Sequence, residues 1–447
     1  MMKEHFDLNN AAGGAVVLDT RQDVSNWHPA KRIGFRFVFG YLVLYNFPFP
    51  LAFDSLPVTG YLIEKYNALW QVSVPWVGKH LLRLSYDITV FTNGSGDTTY
   101  NYVQALCFLI LAAVATVVWS SLDRRRVSYE RLHQWLTIYI RFSLASSMIL
   151  YGIIKLIPPL QFSAPSLSRL LQPYGDSSPM GLLWTFMGAS ESYTNFTGLI
   201  ETMGGLLLLI PRTARLGAIV SLAAMTQVFA LNMCYDVPVK LYSFHLLLMS
   251  AFLVAPVIVP LIDLLIFNRP VDPVRAVPLF KRERLNQIAP ALQIALGLCL
   301  IVLLLWQNHK ENTLYGDIER SPMYGIWSVE EFKIDGETKP PLITDETRWR
   351  RVVFDDFNWF AVQLMSGSRE RFIIDLDMES KAFTLNKRGD PEWKAEFALD
   401  QRESETLTLS GNFDDRQIQV KLRREDAKEF LLTSRGFHWI QEYPFNR

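Results

Sequence analysis

The apolar positions of this chain follow two different rhythms, and the change falls near residue 306. Before Trp306, long runs of Leu, Ile, Val, Phe and Ala recur. Seven of them predict membrane-spanning helices, at about Ile33–Phe53, Tyr102–Leu122, Trp135–Ile157, Phe196–Ile210, Ala214–Met233, Leu241–Phe267 and Ile288–Trp306. Each approaches the roughly 20 residues needed to cross about 30 Å of hydrocarbon at ~1.5 Å per residue. The fourth is the shortest, and a start within the preceding GlyLeuLeuTrpThrPheMetGly would lengthen it. After Asn308 apolar and polar residues alternate, as in half-buried strands. Candidate strands are Tyr324–Ile334, Trp349–Asp355, Phe360–Met365, Phe372–Leu376, Phe383–Leu385, Trp393–Ala398, Thr406–Leu409, Gln417–Leu422 and Phe430–Thr433. The stretches IleAspGlyGlu, SerGlySer, LysArgGlyAspPro and SerGlyAsn read as turns between them. Many short strands with short turns predict an antiparallel meander, closed as a barrel or folded as a sandwich.

The expected fold is therefore an α-helical integral membrane bundle of about seven helices followed by a water-soluble antiparallel β domain. Its divisions are an N-terminal segment 1–32, a helical domain 33–306, a linker 307–314 and a β domain 315–447. The stretch 54–99 is long for a connection between neighbouring helices. Its aromatic and apolar core, Tyr61–Ile88, predicts one or two helices lying in the membrane interface. Residues 1–27 are polar and mixed and do not read as a signal peptide.

Charge sharpens this picture. Lysine plus arginine balance aspartate plus glutamate at 44 each, which gives no electrostatic reason to expect nucleic acid as a partner. The lipid bilayer is the expected partner instead. Basic residues gather at Lys31/Arg32, Arg124–Arg126 with Arg131, Arg212/Arg215, and Arg269–Arg284. With seven crossings all of these fall on one side, which the positive-inside rule assigns to the cytoplasm. The N-terminus is then cytoplasmic, and the β domain is periplasmic or extracytoplasmic on a multi-pass inner-membrane protein. The cysteines Cys107, Cys234 and Cys299 sit in or beside apolar runs without a Cys-x-x-Cys pair. Neither a disulfide framework nor a thiolate metal site is expected.

Charged groups inside membrane spans are costly and need a reason. Glu201 lies well within the fourth span and requires a cation or a proton. Arg141 is its natural partner, or Lys155 if the helices pair differently. Arg36 and Arg141 also have a plainer reading as side chains that snorkel to the surface. A second group is Asp236 and Lys240, expected to pair in the turn made by Pro238, with His245 a turn or so into the sixth span. Glu191 is a candidate for the mouth of the same site. Arg141, Lys155, Glu201, Asp236, Lys240 and His245 thus form a candidate intramembrane polar site, for proton handling or for a quinone headgroup. Gly198, Gly204 and Gly205 predict close helix packing. GlySerGlyAsp at 94–97 lacks the setting and the lysine of a phosphate loop. No His-Glu-x-x-His helix, nucleophile elbow, or flavin, haem or iron–sulfur motif is present.

TyrGlyIleIleLysLeu (151–156), GluThrMetGlyGlyLeuLeuLeuLeu (201–209) and ArgThrAlaArgLeuGlyAla (212–218) carry a family likeness. Residues 141–266 resemble the DoxX-like membrane proteins. That resemblance implies a compact four-helix core and a link to membrane-associated redox systems, quinone- or thiol-linked, with other membrane or periplasmic redox proteins as partners. It carries no catalytic residue onto this chain. TyrGlyIleTrp (324–327) resembles the start of lipocalin-like barrels, where the tryptophan closes the barrel bottom. A non-enzymatic protein holding lipid-like ligands in that barrel is the alternative expectation. In layout alone the chain is also similar to vitamin K-dependent carboxylases, which join a helical bundle to β domains.

Overall fold

The structure is a computed structural model that describes residues 26–49, 57–90, 94–156, 161–272, 278–315, 321–426 and 429–446. The helices are α1 (Pro29–Asn46), α2 (Pro57–His80), α3 (Thr99–Leu122), α4 (Glu130–Leu156), the short α5 (Leu167–Leu170), α6 (Pro179–Gly188), α7 (Glu191–Leu209), α8 (Ala214–Cys234) and α9 (Lys240–Val254). A single 3-10 turn carries α9 into α10 (Ile258–Leu265), and α11 (Glu283–Tyr315) follows. Local chemistry sets several of the starts. Thr98 and Asn101 exchange side-chain and backbone bonds in a capping box ahead of α3, and Ser178 caps α6 with Pro179 at its first position.

Among the described residues, five helical stretches are long and apolar enough to cross a bilayer: Thr99–Leu122, Glu130–Leu156, Ala214–Cys234, Lys240–Leu265 and Glu283–Lys310. The other two expected spans exist as helices but fall short of that standard. α1 carries Lys31, Arg32 and Arg36 within 18 residues, and the first turns of α7 are polar from Glu191 to Thr197. The expected interfacial stretch forms the one 24-residue helix α2, which buries Trp70 and Val74.

α4 is the centre of the bundle. Half of its apolar window is buried, against 22–39% for the other four stretches, and it packs on α7, α9, α11 and α1. The α4–α7 crossing is closest because glycines face each other there. A Cβ on Gly198 would lie 2.8 Å from the Gly152 carbonyl oxygen and 2.9 Å from Lys155 Cβ. One on Gly205 would lie 2.6 Å from Ile149 Cγ1 and 3.0 Å from the Ala145 carbonyl oxygen. These small residues let two backbones meet in a medium where apolar burial against lipid gives little advantage.

Among its described residues the β domain has nine strands: β1 (Gly325–Ile334), β2 (Glu337–Thr338), β3 (Trp349–Phe354), β4 (Trp359–Leu364), β5 (Arg369–Asp377), β6 (Ala382–Lys387), β7 (Asp390–Glu403), β8 (Thr406–Phe413) and β9 (Arg416–Glu425). Eight of them, β1 and β3 to β9, form an antiparallel meander that closes where β9 pairs with β1, from Ile326 opposite Glu425 to Ile334 opposite Ile418. β2 is a two-residue stub on β1. Closure leaves no long free edge. Alternating side chains fill the interior, where Trp327, Phe332, Phe354, Phe360, Phe372 and Phe397 are at most 2% exposed. A barrel of this size has room for side chains or one small ligand. This one is packed with aromatic rings, which counts against a lipid-like ligand inside it. Trp327 is fully buried near the start of β1: its indole N–H donates to the Met323 carbonyl at 3.0 Å, and the Arg424 guanidinium lies 5.7 Å from its ring.

Two local expectations are corrected. SerGlyAsn (410–412) lies within β8, where Gly411 leaves room for the Phe397 ring, and the turn falls on Asp414–Asp415, both at positive φ. Phe430–Thr433 is not a strand. Closure has already used both edges, and Leu431–Ser434 forms the short helix α12.

The barrel meets the bundle through the segment after α4. The Asp355 carboxylate accepts the backbone N–H groups of Leu167 and Ser168 at 3.3 and 3.0 Å, capping α5 from another domain. Gln363 donates to the Leu171 carbonyl at 3.5 Å, and Arg369 donates to the Ser168 carbonyl. Leu167 and Leu171 pack on Ile326, Val353 and Ala361 of the barrel wall. α5 therefore lies along the outer wall of β1, β3 and β4, from Asp355 at the rim that carries the start of β1 and the end of β9 toward Arg369 at the start of β5.

Candidate functional site

The six candidate residues lie in four places. The first is an ion pair between α4 and α7. Lys155 Nζ contacts both oxygens of Glu201 at 2.5 and 2.6 Å, and the two residues are 7% and 3% exposed. Of the two partners expected for Glu201, the structure selects Lys155. Glycines 152 and 198 on either side admit the close approach that a pair of this kind requires.

Arg141 does not meet Glu201. Its Nε donates to the Leu208 carbonyl at 2.9 Å, Nη2 to that of Leu209 at 3.3 Å, and Nη1 to Gln293 Oε1 at 3.2 Å. α4 and α7 run antiparallel, and the end of α7 lies level with Arg141 near the middle of α4. Fourteen residues separate Arg141 from Lys155, about 21 Å along a helix, which puts Glu201 beyond its reach. Arg141 instead satisfies carbonyls that the end of α7 leaves open, at the helix terminus where a cation is favoured.

Asp236 and Lys240 pair as expected, at 2.8 Å, with Asp236 at a φ of 51° in the turn between α8 and α9. An acidic group that sequence reasoning passed over completes this corner. Asp97 accepts the N–H groups of Lys240 and Leu241 at 2.8 and 2.9 Å, and its carboxylate lies 3.7 Å from Lys240 Nζ. The turn rejected as a phosphate loop thus caps α9. Glu191 is exposed at the start of α7 and joins none of these groups.

His245 is 2% exposed and lies in the bundle core. Its Nδ1 is 2.7 Å from the Leu241 carbonyl oxygen, which can only accept, so Nδ1 carries a proton. In the neutral ring Nε2 then accepts, and the Tyr41 hydroxyl donates to it at 2.5 Å. Tyr45, one turn on from Tyr41, stacks parallel on the imidazole with centroids 3.7 Å apart. Three residues before His245, Tyr242 donates to Ser147 at 2.9 Å, and its ring lies 5.9 Å from that of Tyr151. Tyr151 is one turn from Lys155. A seam of hydroxyls and rings therefore runs from the buried ion pair to the buried histidine. Sequence reading missed Tyr41, Tyr45, Tyr151 and Tyr242 because tyrosines in apolar helices pass for interface residues. The signal was the four-residue spacing of Tyr41 and Tyr45.

Arg36 does not snorkel. At 5% exposure it donates to Ser120 Oγ, to the Asp123 carbonyl and, from two nitrogens, to the Tyr129 hydroxyl, pinning the α3–α4 turn to α1. Among the described residues no cluster of three His, Cys, Asp or Glu groups could hold a metal ion, and the three cysteines are free.

A quinone carbonyl needs a donor to receive it and a ring face to lie on. His245 has both nitrogens engaged within the protein and Tyr45 covering its face, so these residues do not fit a quinone headgroup. The arrangement offers Nε2 as the acceptor for one further proton, beside the Tyr41 hydroxyl that is bonded to it.

No family model matches the chain, and no solved structure matches it. Among curated proteins it is similar to the uncharacterized protein YwoB of Bacillus subtilis strain 168, with 30% identity over 122 residues that make up 25% of this chain and 71% of that protein. That name states no activity. Through this stretch the chain belongs to the family of YwoB.

Proposed function

We propose that this chain is a DoxX-like integral membrane protein that serves as the proton-handling subunit of a membrane-associated redox complex, quinone- or thiol-linked. The observation that carries this reading is His245: a titratable group buried among membrane helices, bonded to the Tyr41 hydroxyl and stacked on Tyr45. An ionisable side chain at such depth is a functional candidate by default. Electrons are borrowed from a partner, since the sequence carries no carrier motif of its own. In this reading the chain crosses the inner membrane seven times, α1 and α7 included, with the N-terminus in the cytoplasm and a lipocalin-like barrel outside. The contact of α5 with the barrel supports the parity of that scheme, because the segment after α4 and the domain after α11 must then share one side.

Purification of the full chain in native-lipid nanodiscs tests the proposal. We expect a partner with a visible or quinone chromophore to co-purify and to change spectrum on reduction. We expect His245→Asn to keep that partner while the reduction rate loses its dependence on pH. A chain that purifies alone, with no quinone and no reductant-dependent spectrum, overturns it.

A further inference from the structure

The barrel rim that meets α5 at Asp355 continues into a segment whose apolar side chains point away from the chain. β9 ends at Glu425, close to Ile326 at the start of β1, so the chain leaves the barrel at the rim that α5 clasps. Phe430 packs into the same junction as Leu167, Leu171 and Ile326. Beyond it, Leu431, Leu432, Phe437, Trp439, Ile440 and Tyr443 are 51–91% exposed. The segment is nonetheless folded on itself. Arg435 donates to Gln441 Oε1 at 3.3 Å and lies 4.0 Å over the Phe445 ring, while Phe437 and Trp439 meet edge to face at 5.0 Å. Local structure therefore presents these rings outward.

We propose that residues 431–446 are an interfacial anchor that sets Phe437, Trp439, Ile440 and Tyr443 into the headgroup layer of the bilayer on the barrel side. Three observations select lipid over a protein partner. The segment starts at the junction with α5, in the short connection that follows the membrane helix α4, and so lies within reach of the membrane surface. Its exposed side chains combine Trp and Tyr, the residues that concentrate at membrane–water boundaries, with aliphatic neighbours. Its charged residues are few, and the Arg435 guanidinium is stacked over the Phe445 ring. The same rim also exposes Phe357 and Met378 at the neighbouring turns. The proposal requires only that the apolar helices lie in a bilayer, and it stands or falls separately from the redox reading.

The test is a nitroxide label at Tyr443→Cys or Ile440→Cys, in full-length chain with Cys107, Cys234 and Cys299 replaced by Ala. The protein is reconstituted in phosphatidylcholine–phosphatidylglycerol nanodiscs. A label at Arg388→Cys, in a turn on the opposite rim, serves as the aqueous reference. We expect molecular oxygen to relax the label at 443 or 440 several-fold more than a water-soluble nickel chelate does, and the reverse at 388. Equal access of the chelate at both rims overturns the proposal. So does a label at 443 and 440 that is immobile and closed to both relaxants, the result expected if a second copy or another protein covers the segment.

Discussion

Removing Glu201 would leave an ammonium stranded between two helices at a position only 7% exposed. Breaking a buried pair from one side costs about 3–5 kcal/mol, whereas replacing both partners with apolar groups of similar size costs little. We therefore expect Glu201→Gln to lower the thermal unfolding midpoint of the detergent-solubilised protein and Lys155→Met with Glu201→Leu to recover most of it. A double variant as damaged as the single one would show that the charges serve something beyond packing. On the barrel, the hydroxyl and N–H of Thr347, with the N–H of Arg348, hold Asp345 below the usual carboxylate range. Its contribution is complete above the unfolded value and is lost as pH falls through the lowered folded one. Urea midpoints of the full chain should accordingly fall on acidification below about pH 4, and less so in Asp345→Asn. The need for a cation beside Glu201 was legible in the sequence, but the choice of Lys155 over Arg141 was not. That choice depends on how far α7 is displaced along α4, which loop lengths alone do not set.

At the scale of elements, the α4–α7 crossing makes the sharpest demand. A branched side chain at Gly198 would meet the Gly152 carbonyl and Lys155 Cβ, with no flexible neighbour to give way. Gly198→Val should abolish folded yield in a detergent size-exclusion profile, while Gly34→Ala, which faces open space, should leave it unchanged. The long apolar runs and the alternating strands were readable because each carries its own period. What failed were places where a neighbour overrides local preference. Gly411 reads as a turn until the Phe397 ring lies against it, and Phe430 reads as strand until the closed barrel leaves no edge to join. Asp97 was hidden because its partners, the first amides of α9, lie more than 140 residues away.

Across the whole molecule, bundle and barrel are joined by more than α11. The Asp355 carboxylate caps α5 by charge-assisted bonds, each worth about 1.5–3 kcal/mol. Asp355→Ala should then speed hydrogen exchange at the Leu167 and Ser168 amides by about tenfold or more, with the amides of β5 to β8 unaffected. Unchanged exchange would mean that apolar packing alone holds the junction. This contact was invisible in the sequence, where residues 161–178 pass for a plain connection. The entry from α11 and the exit beyond β9 share one rim, and α5 clasps the wall of β1, β3, β4 and β5, so the turn between β6 and β7 on the opposite rim takes no part in these contacts. The turn at Arg388–Gly389, where Gly389 sits at a φ of 92° with open space around it, can be lengthened without disturbing any of them. A protease-cleavable epitope spliced there would be carried like a flag on a mast. Its cutting in intact cells, or only in lysed ones, would report directly which compartment the barrel inhabits.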